Sequence, residues 1–252
     1  MKIWNWEIIH WDCLVEMNNI PSGSVDCIIT DLPYWITACE WDIIIPFDKM
    51  WEWFNRVIKD NGAIVLFGSE PFSSMLRISN IKIFKYDWIW KKWRFSNFVS
   101  IKHKPWKLHE TISVFYKKKP TYNPQMTKWE PYYKKGGRIF TNNLLRTKKM
   151  VTTETNNISG DRYPVSILEY KQNNCNLINP TQKPVELIEY LIKTYTNEWQ
   201  LVLDITSGSW TLWVWAQNTN RRWICIEKDE IFYNKSVERL QNNFKYINSR
   251  LL

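Results

Sequence analysis

The chain has 252 residues, enough for one large α/β domain or for a catalytic domain with a modest insert. Hydrophobic residues make up 44% and charged residues 23%, and no apolar run approaches the roughly 18 residues of a membrane span, so no membrane partner is expected. The formal charge of +9 favours an acidic partner. The start, Met1-Lys2-Ile3-Trp4-Asn5-Trp6-Glu7, does not read as a signal peptide, and the expected location is the cytoplasm. The 5 cysteines include no C-x-x-C pair, so they are expected to be buried thiols with neither disulfides nor a bound metal.

In chain order, β-rich runs at 7–10 and 25–30 are followed by a helical pattern at 47–59, a strand at 63–67, a helix at 72–78 and strands at 85–91 and 110–117. After a long polar stretch the pattern resumes with a helix at 184–194, a strand at 201–204, a helix at 212–218, a strand at 222–227 and a helix at 231–244. This alternation predicts an open α/β fold, a mixed and mostly parallel sheet with helices on both faces. The stretch between, rich in Asn, Thr and Lys, breaks the alternation. The expected division is therefore a first part at 1–119, an insert at 120–179 and a second part at 180–252.

Two constellations carry chemistry. Asp31-Leu32-Pro33-Tyr34 directly follows the 25–30 strand, and in an open α/β sheet ligands sit beyond the carboxyl ends of strands. Asp204 ends another strand and is followed by Ser207-Gly208-Ser209-Trp210-Thr211 and a helical pattern, a strand-loop-helix unit of nucleotide-binding type. About twenty residues on, the next strand ends at Glu227, where an acid is placed for ribose hydroxyls. A third feature is a basic tract, with Lys91, Lys92, Arg94, Lys102, His103, Lys104, Lys107, Lys117, Lys118 and Lys119 interleaved with Phe95, Phe98, Phe115 and Tyr116. It is expected to track phosphates, with Lys91, Arg94, Lys102, Lys104 and Lys107 as DNA-binding candidates.

The motif order resembles the amino-directed DNA methyltransferases of the permuted β class. There an Asp-Pro-Pro-Tyr tetrad comes first, a target-recognition region follows, and Thr-Gln-Lys-Pro precedes a Gly-rich cofactor loop. This chain has Asp31 to Tyr34, the polar insert, Thr181-Gln182-Lys183-Pro184 and then Asp204 to Thr211, in that order. Trp11-Asp12-Cys13-Leu14 is similar to the family's Gly-Asp-Cys-Leu lead-in, Leu32 replaces its first Pro, and Asn179 replaces a His.

The resemblance implies a Rossmann-like S-adenosylmethionine-dependent fold and methyl transfer to the exocyclic amine of a flipped adenine in double-stranded DNA. Cytosine's amine is the alternative target. Asp31 and the Leu32 carbonyl would accept the amine hydrogens, Pro33 would stiffen the loop, and Tyr34 would stack on the base. Asp12, Lys183, Asp204, Ser207, Gly208, Ser209, Thr211 and Glu227 would hold the cofactor, with Asp12 near its adenine and Lys183 near its methionine carboxylate. A homodimer and a cognate restriction endonuclease are implied as partners. Methyltransferases of protein glutamine or RNA also use such a tetrad, but usually place the cofactor loop before it.

Tryptophan runs against this pattern. The chain has 17 Trp and only 7 Gly, where average glycine usage is about 7%. The family has Gly at the positions of Trp11, Trp35, Trp199, Trp210 and Trp213, and Trp6, Trp93, Trp106, Trp129 and Trp215 also stand in small-residue contexts. Trp41, Trp51, Trp88, Trp90 and Trp223 stand where large residues belong. The first group is expected to be glycine in the native polypeptide, as follows if the source reads a stop codon as glycine. With Trp genuine at these places, a non-catalytic DNA-binding relative is the expected outcome.

Overall fold

The computed structural model describes residues 2–3, 6–35, 42–96, 101–135, 154–171, 183–208, 215 and 218–248. The elements, in chain order, are β1 (Lys2–Ile3), β2 (Trp6–His10), α1 (Cys13–Glu16), β3 (Val25–Thr30), α2 (Phe47–Val57), β4 (Ile58–Gly68) and α3 (Phe72–Ser79). Then come β5 (Phe84–Ser96), β6 (Lys107–Phe115), β7 (Thr127–Lys128), β8 (Tyr132–Lys135), β9 (Glu154–Asn157), β10 (Asp161–Arg162) and β11 (Ile167–Glu169). The last are α4 (Val185–Tyr195), β12 (Leu201–Asp204), β13 (Arg222–Glu227) and α5 (Glu230–Asn248).

Two compact units are present: residues 1–123 with 166–252, and residues 124–165. In the first, among the described residues, nine strands form one sheet in the order β1-β2-β13-β12-β3-β4-β6-β5-β11. The run from β2 through β13, β12 and β3 to β4 is parallel throughout. The β5–β6 hairpin then pairs antiparallel onto β4, and β11 lies parallel to β5 at the edge. Within the second unit, β7 pairs with β10 and β8 with β9, both antiparallel.

The helices form where apolar residues recur at helical spacing, and each buries that stripe on the sheet. On α2 the buried residues are Met50, Trp51, Phe54 and Val57, which join α1, α3 and the sheet residues Ile28, Ile64, Leu66 and Leu203 in one core. On α4 they are Leu187, Ile188, Leu191, Ile192 and Tyr195, which pack with Cys27, Ile29, Val65 and Val202 in a second core. The sheet is thus covered on both faces, which is why its central strands are mostly apolar rather than alternating, with Asp26, Thr30 and Asp204 as buried polar residues.

Several elements depart from the sequence expectation. The α2 helix stops at Val57, because Ile58 turns extended (φ −73, ψ 140) and pairs with Val25, so that β4 starts earlier than 63. The short α1 was not expected; four residues carry no periodic signal, and its formation rests on Asp12, whose side chain accepts from Leu14 N at 2.9 Å. Of the expected 212–218 helix, Trp215 and Asn218 are helical, and residues 212–214, 216 and 217 lie outside the described residues. Cys13, Cys27 and Cys225 are buried free thiols, while Cys39 and Cys175 lie outside the described residues.

Candidate active site

The five parallel strands end along one edge of the sheet, at His10, Glu227, Asp204, Thr30 and Gly68. The β6 strand runs the other way, so its first residues lie at the same edge: Thr111 is opposite Gly68, and Glu110 is opposite Trp90. Asp12, Asp31, Asp204 and Glu227 all lie along this edge, where open α/β sheets hold their ligands.

Asp31 is the first residue past β3. Its Oδ1 accepts from the Tyr34 hydroxyl and its Oδ2 from Lys183 Nζ. Lys183, just before α4, has a side chain only 3% exposed, and its ammonium lies 5.8 Å from the Tyr34 ring centroid and 5.3 Å from that of Phe67. The Tyr34 ring also rests on Phe72, with centroids 5.2 Å apart. Burial pushes the Asp31 carboxyl above its ordinary value in spite of the adjacent Lys183 ammonium, and pushes the Tyr34 hydroxyl well up. Leu32 is buried in the core beneath the loop.

Two carboxylates that the sequence did not single out shape this loop. Asp42 is buried, and its Oδ1 accepts from both Tyr34 N and Trp35 N at 2.7 Å, pinning the turn after Pro33. Glu110 accepts from Lys92 Nζ at 2.9 Å through Oε1, and its Oε2 lies 3.4 Å from Lys183 Nζ. Burial works to raise the Glu110 carboxyl, but the Lys183 and Lys92 ammoniums outweigh it and hold it below the ordinary value. Glu110 stands between His109 and Thr111 on β6, so nothing local in the sequence marks it. Its meaning appears only once β6 is laid beside the Asp31 loop.

The cofactor candidates cluster next to it. Asp204 is buried; its Oδ1 accepts from Thr30 Oγ1 at 2.7 Å and from Thr206 N at 3.1 Å, and burial pushes its carboxyl up to about 7. Thr206 Oγ1 in turn donates to the Asp31 carbonyl at 3.0 Å and lies 2.7 Å from Thr30 Oγ1, so a chain of hydroxyls ties the two loops together. Glu227 accepts from Gly208 N and from Asp229 N, and burial raises its carboxyl as well. Ser207 Oγ is buried without a hydrogen-bond partner. Asp12, beyond β2, accepts from Leu14 N and from Lys228 Nζ at 2.9 Å, and Trp11 N donates to the Glu227 carbonyl at 3.1 Å. Ser209, Trp210 and Thr211 lie outside the described residues.

Of the expected cofactor set, Asp12, Asp204, Ser207, Gly208 and Glu227 thus gather beyond β2, β12 and β13, whereas Lys183 binds Asp31 and faces Glu110. The basic tract divides. Lys102 and Lys104 are exposed between β5 and β6, at the ligand edge; Arg94 lies on β5, its side chain outside the described residues. Lys91 pairs with Glu169 at 2.9 Å, and Lys107 donates to Ser69 Oγ, its ammonium held below the ordinary value by burial. Lys117 and Lys118 lie past the other end of β6, where Lys117 donates to the Asn55 carbonyl and Lys118 to Asp60. At about 3.4 Å per residue the strand separates the two groups by roughly 25–30 Å, so the ten basic residues are not one surface.

The family model for the N6/N4 DNA methylases, described as DNA methylase, matches residues 25–238. The DNA adenine methyltransferase YhdJ of Escherichia coli K12 is 27% identical over 249 residues, covering 92% of this chain and 82% of its own. The solved M1.HpyAVI–SAM complex superposes with a TM-score of 0.63 at 21% identity, covering 93% of this chain and 99% of its own. The cytosine-N4-specific PvuII DNA methyltransferase superposes with the same score at 17% identity, covering 93% and 88%.

Proposed function

The chain belongs to the N6/N4 DNA methylase family, and from that premise we propose that it methylates the exocyclic N6 of an adenine flipped out of duplex DNA, with S-adenosylmethionine as donor. The observation that carries this reading is the buried Asp31 carboxylate beyond β3, with an ammonium on one oxygen and the Tyr34 hydroxyl on the other. An exocyclic amine is a weak nucleophile, because its lone pair is delocalised into the ring. A carboxylate that accepts one of its hydrogens favours the pyramidal nitrogen that attack on a methyl group requires. The Tyr34 ring, whose hydroxyl donates to Asp31 Oδ1, stacks on the base. Leu32 in place of proline leaves this untouched, since a main-chain carbonyl is the second acceptor.

The donor's seat is the neighbouring loop. Two buried carboxylates, Asp204 and Glu227, have no Lys or Arg partner among the described residues, and Ser207 Oγ has no partner. A ligand bearing a sulfonium, an ammonium and a ribose diol fits those needs: cations for buried acids, and hydroxyls for Glu227. When bound, it supplies an electrophilic methyl group. The chain's own residues hold it, order the amine and take up the proton that the methylated nitrogen releases. Lys102 and Lys104 flank the same edge and face phosphates.

The adenine target rests on the Asp-headed tetrad and on the likeness to YhdJ. Duplex DNA is incubated with radiolabelled S-adenosylmethionine and the digested nucleosides are separated. Label is expected in N6-methyladenine and at least about a hundredfold less with Asp31→Ala. Label in N4-methylcytosine would move the target to cytosine. No label in DNA above the Asp31→Ala background would end the reading.

A further inference from the structure

Four charged side chains share a buried pocket at the ligand edge: Asp31 beyond β3, Lys183 before α4, Glu110 on β6 and Lys92 on β5. The Lys183 side chain is 3% exposed and that of Glu110 14%. One ammonium stands between two carboxylates, and its hydrogen bond goes to Asp31. Glu110 Oε1 is taken by Lys92, whereas Glu110 Oε2 lies 3.4 Å from Lys183 Nζ and is a buried acceptor with no hydrogen-bond donor.

We propose that Glu110 is a positioning residue for methyl transfer, the alternative seat of the Lys183 ammonium when the target amine binds Asp31. A shift of about 0.5 Å brings the 3.4 Å separation to ordinary hydrogen-bond length. Asp31 then regains a lone pair for the amine, and the buried ammonium is never left without a carboxylate, a state that is costly in a site closed to water. The groups facing this pair are Tyr34 from its own loop, Asp42 behind that loop, Lys92 and Lys107 from the hairpin, and Asp204 from β12. Lys92 stays on Glu110 Oε1 in both arrangements, which keeps the acceptor ionised.

The proposal rests on Asp31 as the amine's acceptor, and two measurements separate the failure of one from the other. In Glu110→Gln, Lys183 has only Asp31 to bind and a like charge beside Asp31 is gone. Single-turnover methyl transfer is then expected to slow on the order of tenfold with little change in DNA Kd, its acid limb about one pH unit lower, and Glu110→Asp is expected to restore part of the rate. The second measurement needs no activity: carbon-13 carboxyl NMR is expected to show Asp31 titrating at lower pH in Glu110→Gln than in the parent protein. An unchanged Asp31 titration overturns the positioning role, whether or not DNA is methylated. A merely structural Glu110 would lower the melting temperature and leave the single-turnover rate of the folded variant unchanged.

A separate observation concerns the tryptophans. Among the described residues three non-glycine positions have positive φ: Trp35 at 57°, Trp199 at 66° and Asn220 at 53°. Asparagine tolerates that region, while a bulky side chain there is strained. Trp35 and Trp199 are also 72% and 63% exposed, so their indoles gain little packing in return, whereas Trp90 is fully buried. We infer that positions 35 and 199 are glycine in the polypeptide made by the source organism. Trp215, expected in the same class, is buried against Trp223 and is not part of this inference. Peptide sequencing of the native protein is expected to read glycine at 35 and 199 and tryptophan at 90; tryptophan at 35 and 199 overturns the inference. In the chain as written, Trp35→Gly and Trp199→Gly are each expected to raise the melting temperature and Trp90→Gly to lower it.

Discussion

Two acidic groups sit side by side on the same edge of the sheet and are treated in opposite ways. Beyond β3 and at the start of β6, Asp31 and Glu110 are matched by Lys183 and Lys92. Beyond β12 and β13, Asp204 and Glu227 meet hydroxyls and main-chain N–H groups, with no ammonium or guanidinium among the described residues. The difference teaches what each half awaits. A matched carboxylate is ready to accept hydrogens from a neutral amine, whereas unmatched buried carboxylates are stabilised by a ligand that brings positive charge.

The largest effect is expected from removing the cation that defines one of these two sides. Lys183→Met leaves two buried carboxylates facing each other. It should cost about 3–5 kcal/mol in denaturant unfolding and slow methyl transfer at least on the order of a hundredfold. A variant that unfolds like the parent would show that the charges on that side are not coupled.

On the other side the lever is pH. Asp204 is held at about 7 in the fold, against 3.8 ordinarily. The folded protein therefore keeps a proton that the unfolded chain gives up, and this group's contribution to stability is full below about pH 4 and is lost as pH rises through 7. Asp204→Asn has no such loss. Relative to the parent it should gain stability between pH 5 and 8, by a few kcal/mol at the upper end, while binding the methyl donor more weakly. Parallel melting curves for the two proteins across that range would contradict the assignment.

A smaller change tests the link between the sides. Thr206→Val removes the hydroxyl that joins the Asp31 carbonyl to Thr30 and Asp204, and should cost about 1 kcal/mol and a few-fold in single-turnover rate. Smallest of all, Lys102→Ala or Lys104→Ala should each lower the slope of log affinity for DNA against log salt by about 1, with the sequence preference unchanged.

The buried centre of this fold was legible because its residues have one role each. The strands at 25–30, 201–204 and 222–227 lie where their apolar runs and terminal acids put them, since a parallel strand covered on both faces is mostly apolar, Asp26 being the buried exception. Asp31, Asp204 and Glu227 were legible for the same reason, as acids at the ends of such runs. Glu110, Asp42 and Thr206 were not. Each gains its role from a partner brought close by the sheet order or a turn, and a single Glu, Asp or Thr carries no local sign of that. The resemblance puts Lys183 among the cofactor residues, near the methionine carboxylate, whereas the fold sets it between Asp31 and Glu110. The hairpin that carries Lys102 and Lys104 also parts them from Lys117 and Lys118, a separation that proximity in sequence conceals.

The strand order also has a consequence for how the molecule comes into being. The β2 and β3 strands are near neighbours in sequence, yet the sheet sets β13 and β12 between them. Those two are the last strands of the chain to leave the ribosome. At about 5–20 residues per second, β2 and β3 wait on the order of ten seconds or more with unpaired edges before the gap is filled. The edge that gathers Asp12, Asp204 and Glu227 is complete only when the strand ending at Glu227 arrives, so the central gap of the sheet closes at the end of synthesis.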